Sequence, residues 1–190
     1  MKKDTKIISS KVAVVNQILP HVNKWAWDLF IDGAANNWMP TEISMAKDIE
    51  QWKGDSLSED ERLVVKRCLG FFAGSESLVA NNLLLSVFKH VTDPECRQYI
   101  LRQAYEESLH NLTVVYVCDS LNLDINEVYE AYNSVPSIKS KDDFLMNIST
   151  DINRPDFNIN TIEGKREFLR NIITYYVICE GIFFFSGFAM

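Results

Sequence analysis

Residues that interrupt helices are scarce in this sequence, which has 7 glycines and 5 prolines among 190 residues. Inside a helix, glycine costs about 1 kcal/mol and proline about 3 kcal/mol relative to alanine, so their scarcity leaves room for long helices. The alternation of apolar and polar residues that marks a half-buried strand persists nowhere, and no internal repeat is present. With 47% hydrophobic and 24% charged residues, the sequence predicts a folded, all-α domain.

Positive charge is also in short supply. The formal net charge is -7, and no run of lysine or arginine forms a local basic patch. Proteins that bind a phosphate backbone rely on such patches, so we expect no nucleic-acid partner.

The cysteines show no C-x-x-C spacing, which argues against a zinc ribbon or a dithiol redox motif. The N-terminus is basic but lacks an apolar run of signal-peptide length, so we expect no export. Three of the four thiols fall in apolar helical patterns. We therefore predict a cytoplasmic protein with reduced core cysteines, which are Cys68, Cys96, Cys118 and Cys179.

The stretch from 171 to 190 is nearly apolar over about the length that spans a bilayer. Glu180 lies at its middle, where a carboxylate would cost roughly 2.5 to 3.5 kcal/mol on insertion scales. The stretch also continues a charged, periodic segment that reads as the first turns of the same helix. The pattern favours a buried helix of a large bundle and no membrane partner.

Two regions are expected: an N-terminal arm with short helices over residues 1–54, and a helical bundle over residues 55–190. The sequence identifies the N-terminal caps of three long helices. Ser58 and Glu61 form a capping box, Asp93 precedes a proline at the first helical position, and Thr161 is the third cap. The expected spans are 59–90, 94–121 with Asn122 as its stop, and 162 onward, with shorter helices over 24–37, 124–134 and 139–148 and a loop over 149–161.

Each long helix carries a carboxylate within its apolar stripe. Residues three or four apart share one helix face, and by that spacing Glu76, Glu107 and Glu180 point toward the core. His110 lies one turn after Glu107 on the same face. An uncompensated buried carboxylate is too costly to keep, and the basic residues lie away from these middle turns. A divalent metal is the natural counter-charge.

Plainer readings exist for each residue alone. A Glu-x-x-His pair often arises by chance, Glu76 could reach a loop, and Glu180 could neutralise an arginine. Their coincidence on three separate apolar faces favours the metal. Three carboxylates and one imidazole suit iron or manganese better than structural zinc.

A dinuclear metal-carboxylate bundle uses one Glu from each of two helices and a Glu-x-x-His from each of two others. This sequence supplies four of those six ligands. Its only other histidines, His21 and His90, have Ile18 and Val87 three residues before them. The second Glu-x-x-His is therefore not encoded here.

Four segments resemble the small, radical-generating subunit of aerobic class I ribonucleotide reductase, within a ferritin-like helical bundle. The likeness is greatest to the chlamydial subgroup, which has a glutamate as first ligand, no radical tyrosine and a manganese/iron centre. The segments are NNWMPTEI (36–43), LGFFAGSESLVANN (69–82), RQAYEESLHNLTVVY (102–116) and CEGIFFFSGF (179–188).

The resemblance implies a small subunit that forms dimers, activates oxygen at a dinuclear iron or manganese site and passes an oxidising equivalent to a large subunit, which reduces ribonucleotides. It implies that Glu76, Glu107 and His110 bind one metal, and that Glu107 bridges to a second held partly by Glu180. Trp38 resembles the tryptophan of the electron path to the large subunit. Phe184 and Phe188 resemble the apolar pocket beside the metals.

Two departures from the family accompany the resemblance. Val114 stands where the common family has a radical tyrosine and the chlamydial subgroup a phenylalanine, which favours a manganese/iron centre and leaves Tyr116 as a second electron-transfer candidate. The family's C-terminal half, with the second Glu-x-x-His and an aspartate that pairs with the tryptophan, is absent. We expect a truncated piece or, slightly favoured, one half of a subunit whose other half is a second chain. A ferritin-like metal store or oxidase and a metal-free structural fragment are the alternatives.

Overall fold

The structure, a computed structural model, describes residues 6–9, 11 and 15–189. Helices account for most of them, and the only strand-like feature in these residues is a single bridge between Ile8 and Val91. This confirms the all-α prediction. The α-helices are α1 (Lys24–Ala35), α2 (Ala46–Lys53), α3 (Glu59–Asn81), α4 (Pro94–Leu121), α5 (Ile125–Tyr129), α6 (Ala131–Ser134), α7 (Pro136–Asn153), α8 (Ile162–Ile173) and α9 (Phe185–Phe188).

Three further segments complete the helical structure. A 3-10 turn spans Pro40–Glu42, π-helical turns over Asn82–Val87 extend α3, and a π-helix over Thr174–Phe183 extends α8. π-Helical turns are rare and frequently lie at functional sites.

The predicted starts of the long helices are confirmed. Ser58 Oγ accepts from the Glu61 amide at 3.3 Å, and Glu61 Oε2 accepts from the Ser58 amide at 2.7 Å. Asp93 Oδ1 accepts from two amides of the first turn of α4. Thr161 Oγ1 accepts from the Gly164 amide at 3.0 Å. At the end of α4, Asn122 has φ 53° and stops the helix in the left-handed conformation.

Several predicted boundaries are wrong, including the end of α1, which is Ala35 rather than residue 37, and the start of α7, which is Pro136 rather than residue 139. The first long helix ends at Val87 rather than at residue 90. α7 runs to Asn153, so the expected loop over 149–161 begins later than predicted. The added turn makes tertiary hydrogen bonds: Ser149 Oγ donates to Asn82 Oδ1 at 2.9 Å, and Asn153 Nδ2 donates to Ser86 Oγ at 2.6 Å. Contacts to the π-helical turns that extend α3 thus keep this stretch helical, although its polar composition predicted a loop.

α3 lies at the centre of the bundle and packs against α4, α5, α6 and α7, while α1 packs along α4. The main core includes Phe71, Leu83 and Phe184, all buried. This arrangement places the middle turns of α3 and α4 face to face, which is where the carboxylates lie. The division into an arm over 1–54 and a bundle over 55–190 stays a prediction.

The spacing of three and four residues that places Glu180 on an apolar face also predicts Leu169 and Ile173 as core residues, but the structure buries a different face. Leu169 and Ile173 are 55% and 45% exposed, whereas Phe168, Tyr175 and Cys179 are buried. The π-helix that continues α8 is apolar on most sides, so periodicity alone did not identify the inner face of this part of the helix. A stripe of exposed apolar side chains remains along α8, the π-helix and α9. We call it the uncovered stripe; its members are Ile162, Leu169, Ile173, Val177, Ile182, Phe185 and Phe188.

Two helical stretches, Glu59–Val87 and Ile162–Phe188, are long and apolar enough to cross a membrane by length and composition. Core helices of water-soluble proteins pass the same test. Glu76 and Glu180 lie near the middle of these stretches, and a carboxylate is costly in lipid. Both helices fit the buried core of a bundle better than a membrane span.

A buried carboxylate outside the predicted site gives a test of the packing. Asp142 on α7 is 2% exposed; its Oδ1 accepts from Ser75 Oγ at 3.2 Å, and its Oδ2 has no hydrogen-bond partner among the described residues. Burial raises its pKa from 3.8 to about 6. The folded state therefore holds this proton more tightly than the unfolded state, and stability is lost as the pH rises through about 6.

Replacing Asp142 with asparagine is expected to remove this pH dependence. The gain in free energy of unfolding should grow between pH 4 and pH 6 and level off near ~3 kcal/mol at pH 8. Denaturant titrations across this pH range measure it. Asp143→Asn is the matched control, because Asp143 is half-exposed and, among the described residues, forms its ion pair with Lys139, so its effect should stay within about 0.5 kcal/mol. Equal gains at pH 4 and pH 8 would show that Asp142 does not titrate as described.

Candidate metal centre

Helices α3 and α4 bring together three of the four predicted ligands. One ligand atom from each of Glu76, Glu107 and His110 lies within 4.8 Å of the others. Both carboxylates are buried, at 6% and 4% exposure, because their positions fall on the inner faces of their helices. The spacing of three between Glu107 and His110 places them one turn apart, facing Glu76 across the helix pair.

His110 lies between the two carboxylates. Its Nδ1 is 3.0 Å from Glu107 Oε2 and 3.1 Å from Glu76 Oε2. Hydrogen bonds that Glu107 and Glu76 accept from the ring raise the His110 pKa to about 10, against the opposing effect of burial. With both nitrogens protonated, the imidazolium ring of His110 thus supplies positive charge where a bound cation would otherwise supply it.

Glu180 reaches the same cavity from the π-helix. Burial and, to a smaller extent, the charges of Glu107 and Glu76 together raise its pKa to about 7. Its Oε1 is buried and has no hydrogen-bond partner within the part of the chain that the structure describes. Glu180 lies outside the tight group of three, so the structure places it beside them rather than among them.

The donor set fits a divalent cation. Burial also raises the pKa of Glu76. An ionised carboxylate at this place is therefore unfavourable unless a positive charge lies beside it. Among the described residues, no ion pair joins a lysine or arginine to Glu76, Glu107 or Glu180. Arg102, the nearest basic side chain on α4, pairs with Glu106 instead. Oxygen ligands with one imidazole match iron or manganese.

An apolar cavity of about 410 Å³ adjoins the ligands. Val114 is 4% exposed and forms part of its wall. Phe72 meets Phe184 edge-on at 5.3 Å and stacks on Phe188 at 5.6 Å between ring centroids. Gly187 permits this packing, because a Cβ there would lie 2.4 Å from Phe72 Cζ. The wall beside the carboxylates is therefore built from side chains without ionisable groups.

The two electron-transfer candidates occupy different places. Trp38 lines the cavity and stacks on His110, with ring centroids 6.2 Å apart and an interplanar angle of 30°. Tyr116 does not line the cavity, and its hydroxyl donates to the Ile43 carbonyl at 2.8 Å. Trp38 therefore contacts the candidate ligand His110 directly, whereas the Tyr116 hydroxyl contacts the backbone of Ile43.

Sequence reasoning missed the residues that hold the ligands in place. Gln103 Nε2 donates to Glu107 Oε1 at 3.4 Å, and the Tyr176 hydroxyl donates to Gln103 Oε1. The signal was present, since Gln103 is a polar amide within the apolar stripe of α4, one turn before Glu107. Glu106, which directly precedes Glu107 and lies on another face of α4, accepts from the Trp38 indole N–H.

The chain resembles known proteins over nearly its whole length. The profile of the family described as "Ribonucleotide reductase, small chain" matches residues 15–190. The ribonucleoside-diphosphate reductase subunit beta of Chlamydia pneumoniae is 54% identical over 176 residues, which is 93% of this chain and 51% of that subunit. The chain thus spans about half the length of this relative.

Solved structures share the fold. The ribonucleotide reductase R2 subunit from Clostridium botulinum superposes with a TM-score of 0.81 at 24% identity, over 96% of this chain and 55% of that one. A dimanganese(II)-NrdF structure from Streptococcus sanguinis has a TM-score of 0.58 at 19% identity, over 74% of this chain and 48% of that one. These likenesses confirm the ferritin-like helical bundle.

Proposed function

Because the chain belongs to the family of ribonucleotide reductase small chains, we propose that it forms part of a small subunit that supplies an oxidising equivalent to a large subunit for the reduction of ribonucleoside diphosphates. The observation that carries the proposal is the buried group of Glu76, Glu107 and His110, whose ligand atoms converge within 4.8 Å and which lacks a basic partner among the described residues. This family is one of dinuclear metal-carboxylate enzymes.

We assign one metal to Glu76, Glu107 and His110, with Glu107 turned toward a second metal held partly by Glu180. Bound iron or manganese would supply the chemistry of oxygen activation. A manganese/iron pair is favoured because Val114 offers no phenol, so no side-chain radical forms at that position. The apolar wall around Val114, Phe184 and Phe188 keeps water from the ligands and provides no group that quenches an oxidant.

The arm over residues 1–54 contributes Trp38, which lies against His110 and provides the path for an electron toward the large subunit. The bundle over residues 55–190 holds the metals. We place the protein in the cytoplasm, since all four cysteines are free thiols and three are buried.

The exposed apolar side chains of the uncovered stripe are an argument for a further set of helices that packs on them. Ile182, Phe185 and Phe188 are 62%, 69% and 69% exposed, which is unusual for consecutive turns of one helix next to a buried site. We propose that helices carrying the second Glu-x-x-His cover this stripe and complete the ligand set. A second chain is our favoured source of these helices, and a continuation of the same polypeptide is the other. The completed small subunit would form dimers.

Purification of the protein together with any associated chain, followed by metal quantification and electron paramagnetic resonance, tests the proposal. We expect up to two iron or manganese ions per site, deoxyribonucleotide formation when a large subunit is added, and no tyrosyl signal from position 114. Uptake of many iron ions per site would favour a ferritin-like store. Protein that retains no metal without chelator present would favour a structural fragment.

A further inference from the structure

The helix that leads to Trp38 has little buried apolar surface to hold it in place. Of the residues of α1, only Ala26 is buried, although the helix packs along α4. Asn23, the residue before its first turn, makes no side-chain capping bond to it. The position of α1 therefore depends on polar contacts with α4, and these lie at the two ends of α1.

Glu95 of α4 holds the N-terminal end of α1. The side chain of Glu95 is fully buried. Its Oε2 accepts from the Asn23 amide at 2.8 Å, its Oε1 accepts from His21 Nδ1 at 2.7 Å, and the Val22 amide lies 3.1 Å from both oxygens. Hydrogen bonds to an ionised acceptor are roughly twice as strong as those between neutral groups. The carboxylate also lies at the end of α1 where the helix dipole favours negative charge.

The neighbouring Asp93 strengthens the same contact. Its Oδ1 accepts from the first-turn amides of α4, and its Oδ2 accepts from Asn23 Nδ2 at 2.8 Å. Asp93 is 1% exposed, so these bonds are shielded from water. Two adjacent buried acids thus join the start of α1 to the start of α4.

Arg102 holds the other end of α1. Its Nε donates to the Gly33 carbonyl at 2.9 Å, and Gly33 permits this approach because a Cβ there would lie 3.1 Å from Arg102 Cγ. Glu95 and Arg102 are two helical turns apart, which places them on one face of α4. Trp38 lies just beyond Ala35, where α1 ends. A helix held at one point can pivot about it, whereas a helix held at both ends cannot.

We propose that Glu95 is a positioning residue for Trp38. By holding the N-terminal end of α1, it prevents the helix from pivoting about Arg102 and so fixes the place from which the chain brings Trp38 to the candidate metal centre. The inference rests on the proposed function only for the use of Trp38 as an electron path. The contacts that hold α1 are independent of that use.

Hydrogen exchange of the assembled protein, followed by mass spectrometry, tests the contact. Glu95→Gln keeps the size of the side chain but removes its charge and replaces one acceptor oxygen with an N–H₂ donor that faces backbone amides. Exchange of the α1 amides should speed up by about tenfold or more, while the amides of α3 exchange as in the parent protein. Glu95→Asp keeps the charge on a shorter side chain and should restore part of the protection.

Glu163→Gln is the matched control. Glu163 is the second residue of α8, as Glu95 is the second residue of α4, but it is exposed. Its replacement removes a charge from the first turn of a helix without touching α1, so exchange of the α1 amides should not change. If Glu95→Gln does not fold, His21→Ala removes one donor to Glu95 from the other side of the contact and should speed α1 exchange by about threefold or more.

The indole N–H signal of Trp38 shows whether the effect reaches the electron-transfer candidate. In protein with ¹⁵N-labelled tryptophan, Trp38→Phe identifies this signal among those of the four tryptophans. It should shift in Glu95→Gln and stay in place in Glu163→Gln. At a metal content equal to that of the parent, Glu95→Gln should also reduce deoxyribonucleotide formation by about tenfold or more, the effect of a misplaced reacting group.

Three results would overturn the proposal: unchanged α1 exchange in the Glu95 or His21 variant, faster α1 exchange with an unchanged Trp38 signal, or a loss of activity that only follows a loss of metal. A parent protein without metal or reductase activity would reject the proposed function instead. The exchange and resonance experiments need neither property, so they still decide whether Glu95 positions Trp38.

Discussion

Replacing Glu107 with glutamine is expected to abolish the metal centre while leaving the helices in place. Glutamine has nearly the same shape but no charge, so it would be a poor ligand at the position that the proposed site assigns to Glu107. The loss of a partner outside the ligand set already costs about 10- to 100-fold in metal affinity, so loss of this ligand should exceed that range. Metal content after dialysis, measured on the assembled protein, and deoxyribonucleotide formation should fall together.

The same variant has a consequence that needs no metal. The hydrogen bond that Glu107 accepts from the ring is the largest cause of the raised His110 pKa, which is about 10. In the metal-free Glu107→Gln protein, the His110 pKa should fall toward its ordinary value of 6.5, because only Glu76 would remain to stabilise the proton. The Glu180 pKa should also fall, since the Glu107 charge contributes to its rise to about 7. Titration of the His110 ring signals measures the first change.

Glu163→Gln serves as the control for charge removal, because its glutamate is exposed and lies in a different helix from the site. Its metal content and His110 titration should match those of the parent. If Glu107→Gln retained two metals per site, Glu107 would not be a ligand, and the assignment of the centre to α3 and α4 would have to be withdrawn.

The sequence was sufficient for the part of this site that depends on local helix geometry. The caps at Ser58 and Asp93 set the starts of α3 and α4, and a spacing of three or four residues then fixed which side chains share a face. Glu76, Glu107 and His110 fall on buried faces for that reason. Their approach to one another also needs α3 and α4 to pack together, which the apolar stripes on both helices predicted.

Contacts between distant segments could not be predicted from local sequence patterns. Trp38 and Glu106 are 68 residues apart, and their pairing depends on how α1 crosses α4. The extra turn of α7 depends on hydrogen bonds from Ser149 and Asn153 to α3. In the π-helix that continues α8 the sequence is apolar on most sides, so no pattern separated the face that packs on α7 from the uncovered stripe. In each case the missing information lay in tertiary packing.

Replacing Trp38 with phenylalanine is expected to leave the metal centre intact but to reduce deoxyribonucleotide formation. Phenylalanine keeps a ring that can pack against His110 but removes the indole N–H that Glu106 accepts. Because the ligands themselves are untouched, metal content should equal that of the parent. If Trp38 is the path to the large subunit, deoxyribonucleotide formation should fall by about 1000-fold or more, which corresponds to ~4 kcal/mol of transition-state stabilisation.

Two further variants are needed to interpret this result: a control tryptophan and the second electron-transfer candidate. Trp25→Phe is the matched control, since Trp25 is a half-exposed tryptophan of α1 that lines a different groove, and it should leave turnover near that of the parent. Tyr116→Phe tests the second electron-transfer candidate by removing only the hydroxyl that donates to Ile43. A loss of turnover in Tyr116→Phe, together with an active Trp38→Phe, would move the electron path from the face of His110 to the outer side of α4. Because metal content is measured in every variant, such an outcome would redirect the path without changing the assignment of the ligands.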